Sequence, residues 1–214
     1  MKMIKIQDTV RDIIYTDEEA LYAMSKGFMN LSAYAQQIKG AVEDAAKKDV
    51  QVSGIVVALS RIQKSLKGTH PFIQDVKINN ITTKSPITEL VFEKTSSVID
   101  RLSSLYKKVK TTNDDFLTLV LSTNEVTVIC SDRIKNAVLQ HIEEKPRLIQ
   151  GKLASIGISF DPKYYEMPNV TFSLLRRIAR KKIVLAETLT THTEVIFIFH
   201  QKDLPEIMGL FEIS

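Results

Sequence analysis

Apolar and polar residues follow two different periods along the chain, and the change falls near residue 70. Over residues 1–70 apolar positions recur every three or four residues, as on one face of an α-helix. Ala35, Ile38 and Val42 form such a stripe. The pattern predicts four helices, the last one capped by Ser53 and ended by Gly68.

The third and fourth predicted helices are joined by a short polar connection from Lys47 to Val52. Two helices connected in this way are typical of a helix-turn-helix pair. The same pattern also fits a plain helical bundle, so both interpretations stay open at this point.

After Gly68-Thr69-His70-Pro71 the pattern changes to strands separated by turns. The predicted order is strand, helix, strand, strand, helix, and it then occurs a second time. The first copy consists of 76–83 and 87–93 around a turn at Lys84-Ser85-Pro86, then 97–109, 116–121, 126–130 and a helix capped by Ser131. The second consists of 153–160, 170–181, 184–190, 194–199 and 203–211.

The two predicted hairpins also resemble each other in sequence. Leu121-Ser122-Thr123-Asn124-Glu125-Val126 lines up with Leu189-Thr190-Thr191-His192-Thr193-Glu194-Val195 if one residue is inserted at the second turn. This arrangement predicts an α+β fold with helices on one face of an antiparallel sheet. Packing of the copies side by side, or formation of a homodimer through sheet edges, would protect the exposed strands.

Composition narrows the class of protein. The chain has 214 residues, 44% of them hydrophobic, with a net charge of +4 and a pI near 9.0, which permits nucleic-acid contact without requiring it. Apolar runs are far shorter than the roughly 20 residues of a membrane span. The N-terminal residues do not look like a secretory signal, so we expect a cytoplasmic protein. The single cysteine, Cys130, excludes an internal disulfide and is expected to be buried.

Motifs for catalysis, cofactors and metals are missing from the sequence. The seven glycines are scattered and form neither a phosphate loop nor a dinucleotide fingerprint. Glu194 and His200 lie on the same face of a predicted strand but about 20 Å apart, too far to share a metal ion. We therefore expect a protein without enzymatic activity, cofactor or metal site.

The segment Met167-Pro168-Asn169-Val170, together with the two hairpins, resembles the paired ACT modules at the C-terminus of aspartate kinases. The resemblance covers about residues 76–211 and implies two ferredoxin-like βαββαβ modules that sense amino acids. It predicts a helical, helix-turn-helix-like domain over 1–70, a first module over 71–152 and a second over 153–214. The nucleotide-binding segment with which aspartate kinases begin is not present.

The resemblance also implies which residues face a small-molecule effector, most simply an amino acid. In the second copy these are Met167, Pro168, Asn169 and Thr191; in the first copy they are Glu93, Lys94, Thr95, Thr123, Asn124 and Glu125. ACT loops that close over an amino acid often carry a glycine after the first strand, where the backbone approaches the ligand. Neither copy has it, so ligand binding and a purely structural or dimerising role both stay open.

If the helical domain binds DNA, the helix after Ser53 would enter the major groove by its N-terminal end. Gln51 and Ser53 would then face base edges, with Arg61 and Lys64 on phosphates. The basic cluster from Arg176 to Lys182 is typical of the solvated face of an amphipathic helix, although an anionic partner is an alternative.

The sequence thus predicts a regulatory protein that senses an amino acid and contacts DNA. The alternative is a stand-alone regulatory subunit that docks on an amino-acid biosynthetic enzyme such as an aspartate kinase and binds no DNA.

Overall fold

The computed structural model describes residues 5–68 and 72–213. The chain divides into two compact units, Met1–Asp75 and Val76–Ser214, called here the helical unit and the α+β unit. Within the described residues, every helix is too short or too polar to cross a bilayer.

The helical unit has four helices, as predicted: α1 (Ile6–Ile14), α2 (Glu18–Ser25), α3 (Leu31–Ala46) and α4 (Val52–Leu66). They surround one apolar core, to which α3 contributes the predicted stripe. The predicted cap of the fourth helix is wrong by two residues. Gln51 occupies the cap position, and Ser53 lies inside the first turn of α4.

Asp17 connects two helices of this unit. One of its carboxylate oxygens accepts a hydrogen bond from the backbone N–H of Ala20, 2.9 Å away, and so caps α2. The other accepts the hydroxyl proton of Tyr34 on α3 at 2.9 Å. Burial, and then this contact with a carboxylate, raises the pKa of Tyr34. Its hydroxyl therefore stays protonated and holds α3 against the start of α2.

The α+β unit contains six strands and four α-helices in its described part, and the element order strand, helix, strand, strand, helix occurs twice. The first copy runs through β1 (Ile78–Glu93), α5 (Ser96–Lys108), β2 (Leu117–Leu121), β3 (Glu125–Ser131) and α6 (Asp132–Ile142). The second runs through β4 (Leu148–Phe160), α7 (Val170–Ala179), β5 (Leu185–Thr190), β6 (Glu194–His200) and α8 (Leu204–Met208).

All strands form one antiparallel sheet in the order β2-β3-β1-β4-β6-β5. The two long strands lie at its centre, and Ile87 of β1 pairs with Leu153 of β4. The C-terminal half of β1 pairs with β3, whereas its N-terminal half extends beyond β3 along β4. Likewise, the C-terminal half of β4 pairs with β6, whereas its N-terminal half extends beyond β6 along β1. Each copy therefore completes its part of the sheet with a strand of the other.

Two details of the predicted strands are wrong. Lys84-Ser85-Pro86 is not a turn, because β1 continues through it as one strand with a shift in register and a cis Ser85–Pro86 peptide bond. Proline has no N–H for the ladder, and a bulge is where a strand tolerates it. The turns of the two hairpins have the same length. The backbone N–H of Ser122 donates to the carbonyl of Glu125, and that of Thr191 donates to the carbonyl of Glu194, so the proposed one-residue insertion is not present.

The helices pack on one face of the sheet, over two apolar clusters, one for each copy. On the other face Ile87, Ile129, Leu153 and Ile198 form a smaller buried cluster. Glu89 lies on this face and is only 5% exposed. Its carboxyl is within hydrogen-bonding reach of Glu187 on β5.

Strands β1 and β5 are three places apart in the sheet order, a separation of about 14 Å in a flat sheet. Two glutamate side chains bridge that distance only if the sheet curves toward them. The Glu89–Glu187 contact therefore indicates a curved sheet whose helix-free face is partly closed.

Candidate functional site

An open cavity of about 400 Å³ lies at one end of the second copy. Its walls are the last residue of β4, the loop from β4 to α7, the first turn of α7, and the β5–β6 turn. This is the size range of small-molecule sites in proteins. The lining residues are Phe160, Tyr164, Tyr165, Met167, Asn169, Val170, Thr171, Phe172, Thr190, Thr191, His192 and Val195.

The first turn of α7 is the most polar part of the wall. Asn169 occupies the cap position with φ of +65°, a left-handed conformation, and its side chain makes no capping hydrogen bond. The first backbone N–H groups of a helix have no partner within the helix. The residues that carry them here, Val170, Thr171 and Phe172, all line the cavity. The helix dipole adds a partial positive charge at this end, so the geometry favours a bound anionic group such as a carboxylate.

The remaining walls are aromatic or carry hydroxyl groups. The rings of Tyr165 and His192 contact each other at 4.5 Å between centroids, across the mouth formed by the loop and the turn. Thr190 and Thr191 contribute hydroxyls from the end of β5. Among the described residues that line the cavity there is no lysine, arginine, aspartate or glutamate. A ligand that fits these walls therefore has an apolar or aromatic body and one anionic end.

Tyr164 connects this wall to the start of the α+β unit. It is buried, and its hydroxyl oxygen accepts a hydrogen bond from the backbone N–H of Lys77 at 3.1 Å. Ile78, the next residue, pairs with Phe160 at the end of β4. The chain segment that follows the helical unit is therefore held by two residues that also line the cavity.

The corresponding loop of the first copy is closed by its own hydrogen bonds. Thr95 caps α5, its hydroxyl oxygen accepting from the N–H of Val98 at 3.1 Å. The Lys94 N–H donates to the carbonyl of Asn124 at 3.1 Å, and the Lys94 ammonium donates to the carbonyl of Ser122 at 2.8 Å. These contacts hold the loop against the β2–β3 turn and satisfy the groups that would face a ligand.

The other predicted residues of the first copy are either ion-paired within the chain or exposed to solvent. Glu93 pairs with Arg147 at 2.8 Å, and Glu125 lies opposite Glu93 in the sheet. Thr123 and Asn124 are exposed on the turn. The structure thus brings the six residues together around one turn, where their loop is held closed by its own contacts.

In the second copy, Met167, Asn169 and Thr191 line the cavity, whereas Pro168 is exposed and does not. Sequence reasoning missed the aromatic walls and the first turn of α7. No signal in the sequence marked the open first turn, because asparagine usually caps a helix; that Asn169 makes no capping hydrogen bond is visible only in the structure.

The residues predicted to contact DNA lie on α4 as expected from helical spacing. Ser53, Arg61 and Lys64 are exposed along one side of the helix, together with Val57, which is 52% exposed. Gln51 precedes the helix and is also exposed. The Arg61 guanidinium donates to the side-chain oxygen of Gln7 on α1 at 3.2 Å. These side chains therefore share one exposed surface of the helical unit.

Cys130 is fully buried on β3, as predicted. Burial, and then the nearby Asp132, raises the pKa of its thiol to about 12, so the reactive thiolate is scarce at neutral pH. In the described part of the chain no three histidine, cysteine, aspartate or glutamate side chains lie close enough to hold a metal ion.

Known structures share the fold of part of this chain. The aspartate kinase of Clostridium acetobutylicum, an allosteric enzyme, superposes with a TM-score of 0.53 at 12% identity; the match covers 67% of this chain and 36% of the enzyme. The ligand-free regulatory subunit of aspartate kinase from Thermus thermophilus gives a TM-score of 0.49 at 9% identity, covering 63% of this chain and 99% of the subunit. The expected resemblance to aspartate kinases is thus confirmed at the level of the fold.

Comparison of sequences gives no further assignment. No protein-family model matches the chain, and no curated protein matches it significantly. The helix-turn-helix character of the helical unit and the domain boundaries after residues 70 and 152 stay predictions.

Proposed function

We propose that this protein is a non-enzymatic regulator whose α+β unit, a tandem pair of ACT-like modules, binds an amino acid in the cavity of its second copy. The observation that carries the proposal is the uncapped first turn of α7, which opens into that cavity. Its N–H groups would receive the carboxylate of the ligand. The capped and closed loop of the first copy makes it the structural member of the pair.

The walls narrow the class of amino acid. A charged side chain would enter the cavity without an ionic partner, and an unpaired charge is costly to desolvate. Phe160, Tyr165 and Val195 offer apolar and aromatic contacts instead. The favoured ligand therefore has an apolar or aromatic side chain, with its ammonium group near the threonine hydroxyls or solvent.

Isothermal titration of the full chain with each of the twenty amino acids tests the proposal. Asn169→Asp places a fixed carboxylate at the cap of α7, where it competes with the ligand. Affinity should fall about tenfold or more, equal to about 1.4 kcal/mol, while stability is unchanged because a negative charge near a helix N-terminus suits the helix dipole. Asn124→Asp makes the same change on the exposed β2–β3 turn of the first copy and should leave binding unaltered.

Two results would count against the sensing function. One is the absence of binding heat for every amino acid. The other is an equal loss of affinity in Asn169→Asp and Asn124→Asp, which would show that the added charge does not act at the cavity.

The contacts of Tyr164 and Phe160 suggest how binding would be transmitted. Both line the cavity and both hold the first residues after the helical unit, Lys77 and Ile78. A ligand that shifts the β4–α7 loop would thereby change how that segment is held, in a chain that we propose acts as a homodimer.

DNA is the proposed target of the helical unit, through the exposed side of α4 that carries Ser53, Arg61 and Lys64 together with the preceding Gln51. Fluorescence anisotropy with duplex DNA at low salt tests this. Arg61→Gln and Lys64→Gln should each weaken binding and reduce the salt dependence of log K by about one. Lys26→Gln, at the end of α2, is the control.

If the protein binds no duplex at low salt, the alternative gains weight: a stand-alone regulatory subunit that docks on an aspartate-kinase-like enzyme. Fold similarity to an aspartate kinase favours it as the second candidate. Co-purification of the tagged chain followed by mass spectrometry would then identify the enzyme.

A further inference from the structure

A second cavity, of about 390 Å³, lies at the opposite end of the strands β5 and β6. It is bounded by the connection from α7 to β5, the end of β6 with the residues that follow it, and a residue of β4. The cationic and polar side chains around it are Gln150, Lys181, Lys182, His200 and Lys202.

The repeat gives this place a counterpart in the first copy. Ser131 is the last residue of β3, as His200 is the last of β6. They are equivalent in the sheet, because Ser131 pairs with Ile87 and His200 with Leu153. Two residues further on lie Arg133 in the first copy and Lys202 in the second.

The central strands β1 and β4 correspond between the two copies in the same way. Ile87 and Leu153 pair with each other across the centre of the sheet. Lys84 lies three residues before Ile87, and Gln150 lies three residues before Leu153. Lys84 pairs across with β4, and Gln150 with β1, so each lies opposite the other central strand. Lys84 is therefore the counterpart of Gln150, which lines the second cavity.

In the first copy a carboxylate of the chain itself fills the place. Asp115 forms an ion pair with Arg133, whose Nε lies 3.0 Å from Oδ1. The N–H and the hydroxyl of Thr112 donate to the same carboxylate at 2.7 and 2.9 Å. Arg133 first, and then the Thr112 N–H, hold the pKa of Asp115 well below its usual range. The ammonium group of Lys84 donates a 2.8 Å hydrogen bond to the carbonyl of the adjacent residue, Asp114.

The second copy keeps cations at this place but has no such carboxylate. Residues 180–184, which connect α7 to β5, contain no acidic residue. Neither Lys182 nor Lys202 has an ion-pair partner in the part of the chain that the structure describes. The backbone N–H of Lys202 donates to Nδ1 of His200 at 3.3 Å, which leaves Nε2 as the donor of that ring.

Two carboxylates also line the cavity, so its charge must be counted. Lys181 pairs with Glu206 at 3.2 Å, and these two charges offset each other. Asp203 offsets one of the two remaining lysines, Lys182 and Lys202. One uncompensated lysine is left, in addition to the donor of the histidine ring.

We propose that this cavity binds a small anionic metabolite through a carboxylate or phosphate group, in the place that the Asp115 carboxylate occupies in the first copy. Lys182 and Lys202 supply the positive charge, and His200 and Gln150 supply hydrogen-bond donors. This site is separate from the amino-acid cavity and does not depend on its function.

Substitution of Val184, which lines the cavity and is 81% exposed, tests the proposal. It is the counterpart of Phe116, the neighbour of Asp115 in the first copy, because both immediately precede equivalent strands. Val184→Asp supplies a tethered carboxylate and should reduce the affinity for succinate or inorganic phosphate about tenfold or more. Val184→Asn has nearly the same shape without the charge and should bind as the natural protein does.

Binding is measured by isothermal titration of the full chain with succinate and, separately, with inorganic phosphate. Lys202→Gln should weaken binding of whichever anion is held, whereas Asn169→Asp, in the other cavity, should leave it unchanged. Binding of succinate alone, or of phosphate alone, supports the site and identifies the group it prefers. The proposal is overturned if the natural protein binds neither anion, if Val184→Asn loses as much affinity as Val184→Asp, or if Lys202→Gln has no effect.

Discussion

Replacing Glu89 by glutamine should make the α+β unit more stable at alkaline pH and leave it unchanged at acidic pH. Glu89 is 5% exposed on the helix-free face of the sheet, beside Ile129 and within reach of Glu187. Burial first, and the negative charge of Glu187 second, raise the pKa of Glu89 from 4.5 to about 7. The folded protein thus holds a proton that the unfolded chain releases more readily.

The magnitude follows from this difference. One pKa unit corresponds to about 1.4 kcal/mol, so the full displacement is worth about 3 kcal/mol. Because the folded state binds the proton more tightly, its stability is complete below about pH 4.5 and decreases as pH rises through about 7. Glutamine is neutral at every pH and can donate a hydrogen bond to Glu187. Glu89→Gln should therefore be more stable than the natural protein by up to about 3 kcal/mol near pH 8 and nearly equal near pH 4.5.

Cys130 provides an assay specific to this unit. It is the single cysteine of the chain and is fully buried on β3, so a thiol reagent labels it when the α+β unit opens. Labelling with a pyridyl disulfide, which reacts with thiols at acidic as well as alkaline pH, measures the free energy of unfolding of this unit in a urea series at each pH. Glu166→Gln, which changes an exposed carboxyl, is the matched control.

The informative quantity is the stability difference between Glu89→Gln and the natural protein. If it stays constant with pH, or if the variant is destabilised equally at all pH values, Glu89 does not carry the raised pKa. A pH-dependent difference in Glu166→Gln would show that the effect is not specific to the buried pair.

Two further substitutions test packing. Tyr34→Phe removes the hydroxyl that donates to Asp17 and should cost the helical unit about 1 kcal/mol, measured by urea unfolding followed by circular dichroism; unchanged stability would mean that water replaces this contact fully. Gly157→Ala adds a methyl group 2.6 Å from Oγ1 of Thr82 and against the carboxylate of Glu194, and should destabilise the α+β unit by about 1–3 kcal/mol in the thiol assay. Part of that loss should return when Glu194→Ala is added; if none returns, the glutamate is not what the methyl group displaces.

Periodicity predicted the elements well where a helix or strand buries one face. The stripe on α3 is an example, because each of its apolar positions contacts the core. The prediction failed at Pro86, since a proline surrounded by polar residues has the composition of a turn. Pairing of β1 with β4 on both sides of the bulge outweighs that local preference, and such pairing between distant strands is not visible in one segment of sequence.

The candidate site was predictable only in part. Met167, Asn169 and Thr191 came from the repeat and lie on the cavity. Its aromatic walls depend on how the β4–α7 loop folds over β6, and the difference between an open and a closed copy depends on whether a cap is present. The Glu89–Glu187 contact joins residues on strands three places apart, and it follows from the curvature of the sheet.

The exchange of central strands between the two copies also determines what a fragment of this chain could do. A molecule cut between α6 and β4 would leave the long edge of β1 without its partner, and the other fragment would expose β4 in the same way. Unpaired edges of this length readily recruit a strand from another molecule. Either copy produced alone should therefore form a dimer through this unpaired strand edge, with a second molecule in place of the missing half.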